Sequence, residues 1–176
     1  MGVFGHFRET DIHELQTGHF ALAVYWQDAG GGQESRYLSL FKLDEQVVTT
    51  MIKDDSLLLD ISTAGTQGCE ERMQQLPGKK IRKRLNDREA PFAQCYDQKS
   101  TWTIEKGQTA TGDLTLESVA RIFANKEVAH DADQDGETYT SYEFTATASK
   151  GKQVFRYDVA TGLYQRISGK NLLPDL

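Results

Sequence analysis

Apolar and polar residues alternate with a period of two along much of the chain, which is typical of half-buried β-strands. In residues 19–26, a row of large side chains alternates with a row of smaller ones, and the large row comprises Phe20, Leu22, Val24 and Trp26. Comparable strand-like runs follow at residues 36–43, 46–53, 93–96, 101–105, 114–123, 137–148, 153–159 and 163–167. Residues 57–61 are too short an apolar run to separate a strand from a helical start. The pattern predicts about eight or nine strands.

Helical signals are few. Residues 70–76 are the best helix candidate, because Pro77-Gly78 would end a helix there. Thr10 could cap a short helical turn over residues 10–15, within a polar N-terminal segment of residues 1–17. Residues 169–176 are expected to form a surface tail. Short glycine-rich connections between the runs predict turns rather than further helices.

These elements predict a single domain, residues 1–176, that is mainly β and folds as an antiparallel up-and-down barrel with one or two short helices. A barrel of about eight strands is just wide enough to hold one small ligand. Aromatic side chains would either fill the interior or line a pocket, and the pattern does not separate the two. The aromatic candidates for ligand binding are Trp26, Tyr37, Phe41, Trp102, Phe144 and Tyr157.

Composition and charge restrict the function classes. The net charge of −6 argues against a general nucleic-acid binder, and no run approaches the roughly 18 apolar residues of a membrane span. No signal peptide is expected in the first 20 residues, so a reducing, cytoplasmic setting is predicted. The two cysteines, Cys69 and Cys95, then read as small buried apolar residues or as a pair that forms only under oxidation.

A basic cluster spans residues 79–88 of this acidic chain. Its guanidinium groups, on Arg82, Arg84 and Arg88, could bind the carboxylates of a ligand, because arginine pairs with a carboxylate through two hydrogen bonds. The alternative is a solvated helical or hairpin face, balanced by Asp87 and Glu89.

An acidic run at residues 131–136 matches the first half of a calcium loop through Asp131, Asp133 and Asp135. The match then fails, because Tyr142 occupies the twelfth position, where a bidentate Glu is required. A solvated acidic hairpin is therefore the favoured interpretation, and calcium is the alternative.

No catalytic motif supports an ordinary hydrolase or oxidoreductase, since the chain has no Ser-His-Asp signature, P-loop or dinucleotide fingerprint. If the chain is an enzyme that works inside the barrel, the acidic candidates are inward strand positions such as Glu105, Glu117 or Glu143.

The order of landmarks resembles that of the T-type phycobiliprotein chromophore lyases, the CpcT/CpeT family. The resemblance covers most of the chain and rests on residues 17–20, the Arg36-Tyr37 strand, Gly68-Cys69, Cys95 and the closing residues 151–155 and 162–164. It implies a lipocalin-like barrel that helps to attach bilins to cysteines of an acceptor protein. On that reading Arg82, Arg84 or Arg88 would pair with the propionates of the bilin.

The function expected from the sequence is therefore binding of a small hydrophobic or tetrapyrrole-like ligand in a lipocalin-like barrel. The resemblance adds lyase- or transferase-type attachment of the chromophore. The alternative is a structural or partner-binding β-barrel protein with a filled core and no catalytic activity. A small ligand, an acceptor protein and a second copy of the chain are the expected partners, with no nucleic acid and no membrane.

Overall fold

A computed structural model describes residues 5–44, 46–53, 56–66, 68–86, 94–108 and 110–173. In these ranges the chain is mainly β, as the alternating pattern predicts. The strands are β1 (His6–Gln16), β2 (His19–Gly30), β3 (Gln33–Leu43), β4 (Val48–Thr50), β5 (Leu57–Ser62), β6 (Lys80–Asn86), β7 (Gln94–Ile104), β8 (Leu114–Ala132), β9 (Thr138–Asp158) and β10 (Leu163–Ser168). One short helix, α1 (Glu70–Met73), lies between β5 and β6.

All ten strands belong to one sheet, whose ladders in the described ranges are antiparallel. The main path runs β1-β2-β3-β5-β7-β8-β9-β10. Two strands lie off this path, because β4 pairs with the end of β3 and β6 pairs with β9. The two longest strands, β8 and β9, pair in one long hairpin. β6 pairs with residues 139–145 of β9.

The predicted closed barrel is wrong, because the sheet is not closed. Its path ends at β1 and β10, and in the described ranges only isolated parallel bridges, Gln16–Gly107 and Ile52–Tyr164, supplement the ladders. At the second bridge the Tyr164 amide donates to the Met51 carbonyl at 2.7 Å, within the range of an ordinary N–H···O hydrogen bond. Closure needs a continuous ladder, and β10 spans six residues with a register shift between Arg166 and Ser168.

Side chains fill the centre of the curved sheet. Leu38 and Leu40 of β3 meet Leu114 and Leu116 of β8 in the largest core cluster. The other buried members of that cluster are Leu15, Ala21, Ala23, Met51, Ile52, Leu59, Phe155 and Tyr164. The face of the sheet that contributes these residues is called the inner face below. These buried side chains occupy the described centre of the curved sheet.

Several predicted elements differ in the structure. Residues 10–15 form part of β1 rather than a helical turn, because they pair with β2 from Thr10–Val24 to Glu14–Phe20. The basic residues 80–86 form the strand β6, which pairs with residues 139–145 of β9. The runs 137–148 and 153–159 join into one strand, as do 101–105 and the described part of 93–96. In each case the element is set by pairing with a strand far away in the chain, and a local sequence pattern carries no information about that pairing.

The helix α1 is attached to the outer face of the sheet by a disulfide between Cys69 and Cys95. The helix is shorter than the predicted 70–76, although Pro77-Gly78 follows it as expected, with Gly78 at φ 81°. The two cysteines pack with Phe123 and Ala146 in a separate buried cluster, with Met73 of α1 against it. Disulfides persist mainly in oxidising compartments, so this bond argues against the predicted cytoplasmic setting.

Residues 169–173, called the C-terminal segment below, are exposed up to Asn171, as expected of a surface tail. Leu173 is buried and Leu172 half-buried in a cluster that also contains Ile61, Tyr96 and Ala120. Residues 174–176 of the predicted tail lie outside the described residues. In the described part of the chain, no helix has the length and apolar character needed to span a membrane.

Candidate functional site

The predicted aromatic ligand residues lie in different parts of the molecule. Trp26, Tyr37 and Phe41 lie on the outer face of β2 and β3, where the Trp26 and Tyr37 rings stack with centroids 4.2 Å apart. Trp102 and Tyr157 pack against the core cluster of the inner face. Phe144 is buried beneath the Arg72 guanidinium, which lies 4.8 Å from its ring centroid. The structure therefore does not assemble these six side chains into one pocket.

Arg82 and Arg84 lie exposed on β6, away from the core aromatics. The Arg82 guanidinium lies 3.6 Å from the Glu143 carboxylate, which also pairs with Lys80 at 2.9 Å. The Arg84 guanidinium lies 4.3 Å from the centroid of the Tyr139 ring. These contacts agree with the solvated face that was the alternative to a carboxylate site. Arg88 lies outside the described residues.

The acidic run forms a hairpin turn between β8 and β9. The Asp133 carboxylate accepts hydrogen bonds from the backbone amides of Asp135 and Glu137, at 3.0 and 2.9 Å. Asp131 lies in β8, on the exposed part of the hairpin. No group of three or more His, Cys, Asp or Glu side chains able to hold a metal ion occurs among the described residues. The described residues form the acidic hairpin that was the favoured interpretation of this run.

The carboxylates considered for catalysis do not face the core. Glu117 is exposed beside Val119, and its carboxylate lies 3.5 Å from the Lys152 ammonium. Glu143 forms the ion pair with Lys80, whose hydrogen bond lowers the pKa of this carboxyl below its ordinary value. Glu105 is exposed just beyond the end of β7. None of the three is placed for acid–base chemistry inside the sheet.

A cleft of about 380 Å³ opens on the inner face, between the strands and the C-terminal segment. It is called the C-terminal cleft below. Its apolar walls come mainly from Leu57, Leu58, Leu116, Phe155, Leu172 and Leu173. Its polar groups come from Gln98, Ser118, Gln153, Arg166 and Asn171, with Ser56 completing the lining. Concave sites with apolar walls and a few converging polar groups are the usual form of small-molecule sites.

The strand register positions this cleft. Leu116 pairs with Gln153 and Ser118 pairs with Gly151 across β8 and β9, so these residues share the inner face. Gly151 leaves room for the C-terminal segment, since a Cβ there would lie 2.7 Å from Leu172 Cδ2. The segment can therefore cross close to the sheet, and Leu172 and Leu173 form one side of the cleft.

Hydrogen bonds hold the polar lining in place. The Gln153 side-chain amide donates to Asn171 Oδ1 at 2.9 Å, and Arg166 donates to the same oxygen at 3.3 Å. The Ser100 and Ser118 hydroxyls lie 2.8 Å apart, and Gln98 Nε2 lies 3.5 Å from Ser100 Oγ. Burial of polar side chains in an apolar face is unfavourable unless they find hydrogen-bond partners. These contacts use only some of the hydrogen-bond donors and acceptors of the two glutamine side chains.

The described lining is suited to binding rather than to catalysis. It contains one guanidinium, three side-chain amides and serine hydroxyls, and no His, Cys, Asp, Glu or Lys. A hydroxyl needs an adjacent base to act as a nucleophile, and this lining supplies none. Arg166 is exposed at its side chain, so it provides a positive charge at the solvent-accessible side of the cleft.

A wider groove of about 770 Å³ is lined by charged residues and shares Ser118 with the cleft. Within it the Arg36 guanidinium lies 2.8 Å from the Asp60 carboxylate, which accepts a hydrogen bond from the Ser100 amide at 2.9 Å. Lys99, Lys150 and Lys152 line it, together with Glu117. Its ion pairs are partly exposed, and water satisfies such groups well. It is therefore a weaker candidate than the C-terminal cleft despite its size.

Sequence reasoning missed every polar residue of the cleft. The available signal was polar residues in otherwise apolar inward rows, such as Ser118 after Leu114 and Leu116, or Gln153 before Phe155. The candidates predicted from the sequence are aromatic or charged and do not include these neutral side chains. The contribution of Asn171 depends on the fold of the C-terminal segment, which has no local signal.

Comparison of the chain with protein-family models, with curated proteins and with solved structures finds no match. The resemblance to the T-type chromophore lyases therefore stays a prediction, and the case for a function rests on the geometry of the described residues.

Proposed function

We propose that this protein binds a small amphiphilic carboxylic acid in the C-terminal cleft. The observation that supports this is the pair of buried glutamines, Gln98 and Gln153, which border a cleft of about 380 Å³ that also has six apolar side chains and one guanidinium in its lining. The ligand would place its acidic group near Arg166 and its apolar body against Leu116 and Phe155.

The glutamine side chains have unused hydrogen-bonding capacity. Each donates through its amide nitrogen, Gln98 to Ser100 and Gln153 to Asn171. Neither amide oxygen accepts a hydrogen bond from the described residues. Neither is among the fully buried polar atoms that lack a partner. These oxygens are therefore accessible from the cleft. A ligand that carries a hydroxyl or N–H group in addition to its acid would use them.

The size of the cleft favours a compact ligand. At about 30 Å³ for each water molecule, its volume corresponds to roughly a dozen waters. A medium-chain hydroxy acid or a single-ring aromatic acid is of this order. A linear tetrapyrrole is longer and carries two propionates, whereas the described lining provides one guanidinium. The geometry therefore favours the small acid over the bilin that the resemblance implies.

Arg166 supplies the positive charge that the cleft needs to bind an acidic group. The chain carries a net charge of −6, so its overall field repels anions, and a local cation is needed to bind one. Arginine binds a carboxylate through two parallel hydrogen bonds. Because the Arg166 side chain is exposed, its contribution should weaken as salt screens the pair.

The proposal is tested with octanoate, an ω-hydroxyoctanoate and octanol as probes, by calorimetry and by thermal unfolding. A ligand that binds only the folded state raises the melting temperature. The hydroxy acid should bind best and the alcohol weakest. Arg166→Gln should weaken binding of both acids toward that of octanol, on the order of 10-fold for one charge-assisted contact. Gln153→Leu should remove the preference for the hydroxy acid.

Lys152→Gln is the matched control, because it removes one positive charge from the residue next to Gln153, outside the described lining of the cleft. It should bind the probes as the unchanged protein does. Absence of binding by all three probes would reject the proposal, and so would equal losses in Arg166→Gln and Lys152→Gln.

The disulfide between Cys69 and Cys95 supports a setting outside the reducing cytoplasm, since such bonds are rare there. Thiol labelling of protein taken directly from its native source tests this. Unlabelled cysteines that react only after reduction would support an oxidising compartment. Cysteines that label at once would support the cytoplasmic setting predicted from the sequence.

A further inference from the structure

The outer face of β1–β4 exposes large apolar side chains. Its most exposed members are Phe7, Ile12, Phe20, Leu43 and Val48, and Trp26 is half-buried among them. These six residues define the outer apolar face. Phe7 is 66% exposed, Ile12 63% and Val48 62%. Single exposed apolar residues are ordinary on a protein surface, but a continuous group of this kind marks an interaction site.

The strand register makes this group continuous. Phe7 pairs with Trp26 and Ile12 with Leu22 between β1 and β2. Phe20 pairs with Leu43 between β2 and β3, and Leu43 pairs with Val48 between β3 and β4. Residues that pair directly have side chains on the same face of the sheet. The outer apolar face therefore crosses four neighbouring strands without interruption.

The area of this face is sufficient for the centre of an interface. Four strands at about 4.8 Å spacing and six residues at about 3.3 Å give a footprint on the order of 400 Å². The largest patch on an ordinary monomer is roughly 300–600 Å², and it is often functional. Two such faces packed together would bury on the order of 1,000 Å² once the uneven side-chain surface is included, where specific interfaces begin.

β2 and β3 are apolar on both faces, which is typical of strands covered on both sides. The inner face of these strands is covered by the core, through Ala21, Ala23, Leu38 and Leu40. The described part of the chain does not cover the outer apolar face. Because sheets pack face to face at about 10 Å through interdigitating side chains, a second sheet is the natural cover.

We propose that this cover is a second copy of the chain, packed by a two-fold axis with the outer apolar faces in contact. A two-fold interface brings the same surface together from both copies, so the surface must complement itself. An apolar face meets this condition without a partner of opposite charge. The carboxylate of Glu14, at one end of the face, lies 2.6 Å from the Lys106 ammonium, which neutralises it.

Pairing of two copies through the outer edge of β1, of which the described residues occupy only the end at the Gln16–Gly107 bridge, is the less favourable arrangement. Arg8, Glu9 and Asp11 place charges along this edge, and the register shifts between Phe7 and Glu9. Charged side chains and bulges on edge strands are devices that prevent pairing with another strand. The geometry therefore favours contact of the faces over extension of the sheet.

Sedimentation equilibrium and light scattering test the proposal. The average mass of the full chain should rise with concentration from 19.8 kDa toward twice that value. Ile12→Lys should shift this equilibrium to the monomer and raise the dissociation constant on the order of 100-fold or more, because a two-fold interface contains the buried charge twice. Val48→Lys should act in the same direction from the other side of the face.

Val159→Lys is the matched control, since Val159 is 82% exposed in the turn between β9 and β10. It makes the same chemical change outside the outer apolar face, and it should remain dimeric. Circular dichroism must show that all three variants are folded. Because the octanoate site lies on the inner face, Ile12→Lys should bind octanoate unchanged, so failure of the dimer and failure of the ligand site are distinguishable.

Three results would overturn the proposal. The first is a monomer at every concentration, and the second is a dimer that both Ile12→Lys and Val48→Lys leave intact. The third is a monomer that binds phosphatidylcholine vesicles and loses this binding in Ile12→Lys. That result would assign the outer apolar face to a lipid surface instead of a second copy.

Discussion

The outer surface of the sheet carries apolar residues in two regions, and the described residues cover only one of them. On β7–β9, Phe123, Cys95 and Ala146 are buried beneath the segment that contains α1. On β1–β4, Phe20 and Ile12 remain exposed. The segment that the Cys69–Cys95 bond attaches to the sheet covers the smaller apolar group, whereas the larger one stays exposed among the described residues.

This difference shows that the side chains of the outer surface are not equivalent in what they contribute to stability. A residue that is buried within one chain stabilises the monomer, because its apolar area leaves water on folding. A residue on an uncovered face contributes little to the monomer and becomes buried only on association. Substitutions in the two regions should therefore separate folding from association.

The largest effect is expected for Phe123→Ala in the covered region. Phe123 is 1% exposed, so its truncation leaves a cavity and should lower the free energy of unfolding by about 3–5 kcal/mol. Phe41→Ala on the half-buried outer side of β3 should cost less than half as much at low protein concentration. Urea unfolding of both variants measures the difference. Equal losses would contradict the distinction between the two regions.

Removal of the disulfide is expected to have the next largest effect. The bond joins residues 26 positions apart, and a loop of this length should contribute about 2–4 kcal/mol, largely by restricting the unfolded chain. The double variant Cys69→Ala/Cys95→Ala should lose this amount in urea unfolding. A reducing agent should destabilise the unchanged protein and leave the double variant unaffected. A stable reduced protein would show that packing alone holds α1 on the sheet.

A smaller effect is expected from single hydroxyl groups on the two faces of the sheet. The Trp102 indole donates to the Tyr25 hydroxyl at 3.1 Å, so Tyr25→Phe should leave a partly buried N–H without its partner and cost about 1–2 kcal/mol. Burial raises the pKa of the Tyr25 hydroxyl, which agrees with its inner position. Tyr37→Phe is the control, because it keeps the ring stacked on Trp26 and should be close to neutral.

The smallest effect concerns ion pairs near the two regions. Hydrogen bonds from Lys106 and from the Gly18 amide lower the pKa of Glu14, and Lys80 does the same for Glu143. A carboxyl with a lowered folded pKa stabilises the protein above its unfolded value of about 4.3, and this contribution is lost as the pH falls through the folded pKa. Stability should therefore be flat above about pH 5 and decrease below about pH 4.

Thermal unfolding between neutral and acid pH measures this dependence. Glu14→Gln and Glu143→Gln should each flatten it slightly, because the substituted residue no longer binds a proton. Since both carboxylates are at the surface, added salt should reduce the effect further. An acid dependence that neither variant changes would assign it to other carboxyl groups, such as Asp113, whose pKa the Arg156 hydrogen bond lowers.

The alternating pattern predicted most of the strands, including those that became β2, β3, β8 and β10, whereas it left residues 57–61, now part of β5, open between strand and helix. It did not decide which row is buried where both rows of a strand are apolar. In β2 a large row, with Phe20 and Trp26, alternates with a small row, and the structure buries Ala21 and Ala23 of the small row completely. A period of two predicts that alternate side chains of a strand face opposite sides of the sheet, but it does not indicate which side is the interior. Small residues suit the interior here because Leu38 and Leu40 of β3 fill the space beside them.

The candidate site could be predicted far less well than the fold. Trp102 and Tyr157 do pack against the core, which agrees with the alternative that aromatic side chains fill the interior. The cleft itself combines Gln98, Gln153 and Asn171, which lie on β7, on β9 and in the C-terminal segment. No spacing rule connects them, because only pairing of the strands and the return of the segment over Gly151 bring them together.

By itself, the sequence determined that the protein is a mainly β domain with turns at its glycines and a short helix before Pro77, because these features depend on local conformational preference and period. Only the tertiary structure decided that the sheet stays open, that Cys69 meets Cys95 and which row of each strand is buried. These properties depend on contacts between residues far apart in the chain. Their free energies are set by which surfaces meet and exclude water, and alternation along a single strand carries no information about that.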